Sequence, residues 1–283
     1  MRPLPLPTPT ARDAYRSCIS RIRSAELKQR LERLADDVTA AADAFNQAAG
    51  TAQLHTLVPA AFAPQTAQDH EELPNVYKER MARIGAPGRQ IYDELKLAAQ
   101  RCPLCDHRDV TTLDHHLPKS IFSLLSVAPT NLIPACSECN KIKADTTPRH
   151  AEAQTLHPYF DHIVSERWLG AEVVEGTPPA LRFSVVPFTS WPSTLTGRLC
   201  HHFDLFGLAA LYGAQGATLL SGITHRLRGL FAAEGEEGIR TYLQEEGISR
   251  EMGLGPNHWQ TAAYRALAAS PWFCSAGWLT EQP

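Results

Sequence analysis

Cys102-Pro103-Leu104-Cys105 and Cys136-Ser137-Glu138-Cys139 enclose two further short runs, Asp114-His115-His116-Leu117-Pro118 and Asn131-Leu132-Ile133-Pro134, and the second cysteine pair leads directly into Asn140. Two Cys-x-x-Cys pairs separated by roughly thirty residues supply the four soft thiolates that tetrahedral Zn²⁺ prefers, at Zn–S distances of about 2.3 Å. Cys102, Cys105, Cys136 and Cys139 are therefore read as a structural zinc clasp. It forces the intervening chain to leave and return to one point. The spacing alone suits a plain zinc ribbon equally well. What the pairs enclose goes further, because Asp, His and Asn are the residue types of metal ligands and proton acceptors.

The local patterns give the segment a β-β-α outline. Val110-Thr111-Thr112-Leu113 is β-branched and apolar, and reads as a strand delivering Asp114 and His115 at its end. Leu132-Ile133-Pro134 reads as the returning strand. Pro118 and Pro134 lack a backbone donor and suit strand ends. The run Asn140-Lys141-Ile142-Lys143-Ala144-Asp145 reads as the start of the helix.

With these residues in view, the stretch from Cys102 to Lys143 is similar to the HNH endonucleases, the ββα-metal nuclease module in its four-cysteine form. The matching positions are Asp114, His115 and Pro118, then Asn131 with its apolar followers, then Cys136, Cys139, Asn140 and Lys143. The resemblance implies a metal-dependent endonuclease that hydrolyses DNA phosphodiester bonds to leave 5′ phosphate and 3′ hydroxyl ends. In that role His115 is the general base, since a neutral imidazole with a pKa near ~6.5 accepts a proton at physiological pH. Asp114 and Asn140 are the oxygen ligands of a catalytic Mg²⁺ or Mn²⁺, a hard cation that keeps waters and bridges to phosphate. Asn131 pins the loop that orients the base. Lys141 and Lys143 are expected to contact the nucleic-acid backbone without reading sequence. A non-catalytic zinc module that binds nucleic acid or protein, and an RNA-cutting toxin, are the competing readings.

Neighbouring histidines take plainer roles. His116 adjoins the base, and a strand alternates its faces, so the Asp-His-x-x-Pro match selects His115. His107 is a loop residue beside a clasp that four cysteines already close. His157-Pro158-Tyr159-Phe160-Asp161 is expected to pack the next element against the nuclease segment. Cys18, Cys200 and Cys274 match no metal spacing and read as buried thiols.

Composition bounds the rest. The chain has 283 residues, 43% hydrophobic and 20% charged, which is ordinary for a globular protein and more than the motif needs. Seven cysteines, four of them in zinc-type pairs, indicate a reducing, cytoplasmic setting rather than a disulfide framework. The opening Met1-Arg2-Pro3-Leu4-Pro5-Leu6-Pro7 does not resemble a signal peptide, and no long apolar run predicts a membrane span. No nucleotide-binding glycine motif occurs.

Net charge is −3, and between Cys102 and His150 five basic residues (108, 119, 141, 143, 149) face five acidic ones (106, 109, 114, 138, 145). DNA-binding proteins that act alone are usually basic. The balance therefore predicts a partner, either an ATPase or sensor subunit of an anti-phage or restriction system, or a second copy of the chain. Leu27, Leu31, Leu34, Val38, Ala41 and Phe45 form a heptad-like stripe that serves either a helical hairpin packed on the body or such a partner.

The expected class is α+β: a zinc-clasped ββα-metal core in a mainly helical framework with a small β-hairpin. Three regions follow. Residues 1–88 hold an extended proline-rich start and helices over Ala11–Arg23 and Ala25–Ala49, then a loosely patterned stretch. Residues 89–162 hold a helix over Arg89–Gln100 and the nuclease segment. Residues 163–283 hold a hairpin of Trp168–Val174 and Leu181–Val186, helices broken near Gly213–Gly216, and further helices over Ile239–Glu246 and Gln260–Ala268.

Overall fold

A computed structural model describes Met1–Leu279. The fold is α+β and mainly helical, with two antiparallel two-stranded sheets among the described residues. The chain divides into two compact units, Met1–His162 and Ile163–Pro283.

In the first unit, α1 (Ala11–Ile19) starts at a Thr10 capping box, in which the Thr10 hydroxyl and the Asp13 carboxylate each satisfy the other residue's backbone N–H. Helices α2 (Ala25–Arg33) and α3 (Ala35–Gly50) occupy the span expected to be one helix, with a break at Leu34. The heptad-like stripe is spent inside the unit: Leu31, Val38 and Phe45 are fully buried and Leu34 and Ala41 nearly so. It is thus core, and it offers no docking face.

The stretch read as loosely patterned holds α4 (Ala67–Tyr77), capped by Thr66 and carrying Pro74 within it. Its Asp69 is buried against Arg30 of α2 at 2.8 Å. Helix α5 (Arg89–Leu97) then leads to the clasp. Residues 1–88 and the cysteine-rich segment are not separate bodies. Ala14, Phe45, Leu73 and Tyr92 belong to one apolar core with Leu113, Leu117 and Leu132.

Strands β1 (Thr112–His115) and β2 (Leu132–Ala135) pair with Asp114 opposite Ile133 and His115 opposite Leu132. The first strand lies further along the chain than the expected Val110–Leu113, so Asp114 and His115 are strand residues. Helix α6 (Ser137–Lys143) begins within the second cysteine pair, with Cys136 as its N-cap.

In the second unit, β3 (Leu169–Val174) and β4 (Ala180–Val185) form the expected hairpin. Helix α7 (Ser193–Leu205) ends at Gly207, which takes a left-handed φ of 59° that favours glycine, and α8 (Leu208–Leu254) follows. The expected break near Gly213–Gly216 does not occur. Instead α8 runs through those glycines and kinks at Gly235, at φ 68° and ψ −151°. The segment Ile239–Glu246 is thus part of α8. Helices α9 (Trp259–Ala269) and α10 (Pro271–Cys274) close the unit on buried Tyr264 and Phe273. Cys18 and Cys274 are buried, whereas Cys200 is half-buried.

Candidate functional site

The four clasp cysteines converge. Their sulfur atoms all lie within 4.8 Å of one another, and all four residues are buried. Tetrahedral Zn²⁺ with Zn–S bonds of ~2.3 Å needs sulfurs about 3.8 Å apart, so the donor set and its size fit a structural zinc. The knuckle is built by the backbone. Cys102 N–H donates to Arg108 O at 2.8 Å and Asp106 N–H to Cys102 O at 2.7 Å, with Asp106 in a left-handed turn at φ 47°. On the other side Cys139 N–H donates to Cys136 Sγ at 3.3 Å. Hydrogen bonds among the crowded thiols hold Cys105 below the ordinary thiol range and push Cys102 and Cys139 above it. His107 stays outside the cluster. The proline-rich start is strapped to this knuckle: Arg2 N–H donates to Pro103 O at 3.0 Å, and Arg2 Nε lies 3.3 Å from Asp106 Oδ1.

The strand that leaves the clasp carries Asp114 and His115 on opposite faces. His115 is buried, with its Nε2 at 2.9 Å from the Ser126 carbonyl. A carbonyl oxygen only accepts, so Nε2 carries the proton and Nδ1 keeps the free lone pair. Burial, aided by Lys119 and Lys143, pushes the ring's pKa down to about 3, which keeps it neutral at physiological pH. The ring also stands edge-on to Tyr77, with centroids 4.4 Å apart.

The carbonyl that fixes this tautomer sits in a loop held by Asn131. Its side-chain oxygen accepts from Leu117 N–H at 2.7 Å, while its amide nitrogen donates to Leu117 O at 3.0 Å and to Leu125 O at 3.3 Å. Asn131 is fully buried. It therefore ties the residue after His116 to the residue before Ser126, the geometry expected of a loop-pinning asparagine. His116 is turned elsewhere, its ring 4.3 Å from that of His157. His157 packs in turn on Phe160 and Phe45, and Tyr159 donates to Leu132 O at 3.1 Å, so the His157–Asp161 segment is a packing element.

Asp114 faces α6. Its Oδ2 lies 3.3 Å from Lys143 Nζ, with side-chain exposures of 5% and 4%. The contact is a buried ion pair, with the Lys143 ammonium facing Oδ2. Burial pushes the carboxyl up to about 6 despite the lysine. Asn140, half-buried, stands three residues before Lys143 on the same side of α6. The two lysines part company. Lys141 is exposed as a phosphate contact requires, whereas Lys143 is buried on Asp114 and does not reach the surface.

The chain is 30% identical over 213 residues to the protein ea31 of Escherichia phage lambda, an alignment spanning 70% of this chain and 72% of the phage protein. It belongs to the ea31 family. No family model matches this ea31 relative, and no solved structure does.

Tyr77, Lys119 and Ser126 escaped the sequence reading of this ea31-family chain. Tyr77 sits in the unanticipated α4, and a serine acting through its carbonyl carries no side-chain signal. Lys119, whose Nζ lies 5.7 Å from the Tyr77 ring, directly follows the Asp-His-x-x-Pro run and was legible there.

Proposed function

We propose that the centre is a zinc-clasped HNH nuclease that hydrolyses DNA with the help of Mg²⁺ or Mn²⁺. The observation that carries this reading is the Ser126 carbonyl held 2.9 Å from His115 Nε2, in a strand that also presents the buried Asp114 carboxylate. In the proposed reaction His115 Nδ1 takes a proton from water, and the resulting hydroxide attacks the phosphorus. The P–O3′ bond breaks and the 3′ oxygen leaves to be protonated by solvent. Asp114 and Asn140 would hold the divalent ion, which would supply positive charge for the phosphorane-like state. Asn131 contributes by holding the Ser126 loop, which keeps His115 in its reactive tautomer. Lys141 adds charge for the phosphate backbone.

A cytoplasmic setting suits four reduced thiols, and a partner protein or second copy suits the weak overall charge. A place in anti-phage defence or restriction is part of this proposal. The non-catalytic zinc module is favoured by one observation, the burial of His115 and Asp114.

Supercoiled plasmid incubated with purified protein and Mn²⁺ or Mg²⁺ tests the choice. Nicking that disappears in His115→Ala, with zinc content unchanged, is the expected result. Wild-type protein that leaves plasmid intact but cuts single-stranded RNA supports the toxin reading. No cutting of either substrate leaves the zinc module.

A further inference from the structure

The buried pairing of Lys143 with Asp114 has a chemical implication that reaches past the hydrolase reading on which it rests. An ammonium ion is seated on the carboxylate proposed to hold the divalent cation, 3.3 Å from Oδ2. Among the described residues its other polar contact is the carbonyl of the next residue, Ala144, at 3.4 Å. Two long contacts are poor compensation for a buried ammonium, which has three protons to donate. Ala144 itself is held at φ 48° and ψ −144°, a left-handed conformation that alanine rarely adopts, so the turn after Lys143 is kept under strain while the lysine is folded inward.

We propose that Lys143 is a built-in occupant of the cation position and that a divalent ion binds Asp114 only in exchange with it. The charge balance gives the reason. Asp114 and Lys143 together are neutral. A divalent ion entering beside a retained ammonium would set three positive charges against one carboxylate in a site closed to water, where like charges repel strongly. Either the lysine swings out, or further negative charge arrives. A phosphodiester brings that charge, and a lysine released from Asp114 at the end of α6 carries its ammonium toward the same phosphate. Loading of the metal is thereby coupled to substrate, and the metal alone binds weakly. Lys143 is in this scheme a positioning residue.

The test measures Mn²⁺ binding by electron paramagnetic resonance at fixed pH in wild type, Lys143→Met and Asp114→Asn, with and without a phosphorothioate-backbone DNA duplex. Lys143→Met is expected to bind Mn²⁺ alone at least ~10-fold more tightly than wild type, a coupling of about 1.4 kcal/mol, and to gain less from added duplex. Equal or weaker binding by Lys143→Met overturns the exchange. Should that variant not fold, acetylation of wild-type Lys143 decides the matter. Its modification, followed by mass spectrometry, is expected to speed up at saturating Mn²⁺, and unchanged protection overturns the proposal. Asp114→Asn separates the two readings. Mn²⁺ binding that survives this substitution removes the metal site itself, whereas binding lost in Asp114→Asn but unaltered in Lys143→Met removes only the exchange.

Discussion

Single residues in this molecule do unequal amounts of work, and His115 illustrates how position sets chemistry. Its ring binds a proton near pH 3 in the fold but near ~6.5 once the chain unfolds. Between those values the unfolded chain holds more protons, so stability is full above pH ~6.5 and falls as pH drops through the window. Asp114 runs the opposite way: its raised pKa gives stability that is present below its unfolded value and lost as pH rises through about 6. His115→Gln deletes only the first effect. The variant should therefore lose less stability than wild type between pH 7.5 and 5.5, by about 1 kcal/mol, as read from urea unfolding at each pH. Asn131→Ala is expected to be costlier, because it leaves the N–H and the carbonyl of Leu117 without buried partners and takes one of two donors from the Leu125 carbonyl. A loss of about 3 kcal/mol, with zinc retained and any cleavage activity sharply reduced, is the expected outcome of denaturation and nicking assays. The convergence of the four cysteines and the loop-tying bonds of Asn131 were legible because residue type and spacing carry them. The inward turn of Lys143 was not, since a lysine on a short helix reads as solvated until the strand it packs against is known.

Secondary-structure elements show where the sequence misled. The stripe from Leu27 to Phe45 has the period of a coiled-coil seam, but the same period serves any helix that lies on a core, and only the surrounding chain decides. Leu31→Glu should accordingly unfold the first unit, with a melting transition lost or lowered by well over 10 °C, instead of yielding a folded protein that has lost a partner. A folded, zinc-loaded Leu31→Glu protein would contradict the assignment of this stripe to the core. Helix α4 was missed because Pro74 and a run of polar residues hide its apolar side, although the Thr66 cap and Asp69 were there to be read. Conversely, glycines at 213 and 216 suggested a break that α8 does not make. One helical glycine costs about 1 kcal/mol, which packing offsets, and Leu181 lies close enough to Gly216 that a side chain there would press on it at 3.2 Å. For the clasp, Cys136→Ser is expected to remove zinc and with it the fold of the first unit, as elemental analysis and circular dichroism would record.

At the scale of the whole molecule, charge and topology set the terms. A net charge of −3 predicts weak binding to duplex DNA, with a dissociation constant above ~1 µM at 0.15 M salt and a shallow salt dependence, measured by fluorescence anisotropy. Tight binding under those conditions would mean that scattered cations such as Lys119 and Lys141 converge on one face. No single helix is long and apolar enough to cross a membrane among the described residues. The strap at the start of the chain bears on how the first unit comes into being. Leu4 N–H donates to Pro158 O at 2.8 Å, and Arg2 holds the knuckle at Pro103 and Asp106, so these residues bind surfaces that are synthesised much later. Helices α1 to α3 have local partners and can form as they emerge from the ribosome. Arg2 gains its partners only once the chain has passed Asp106, and the Leu4 N–H only once it has passed Pro158. Closing the strap is therefore a non-local step that is completed only after Pro158 has been made.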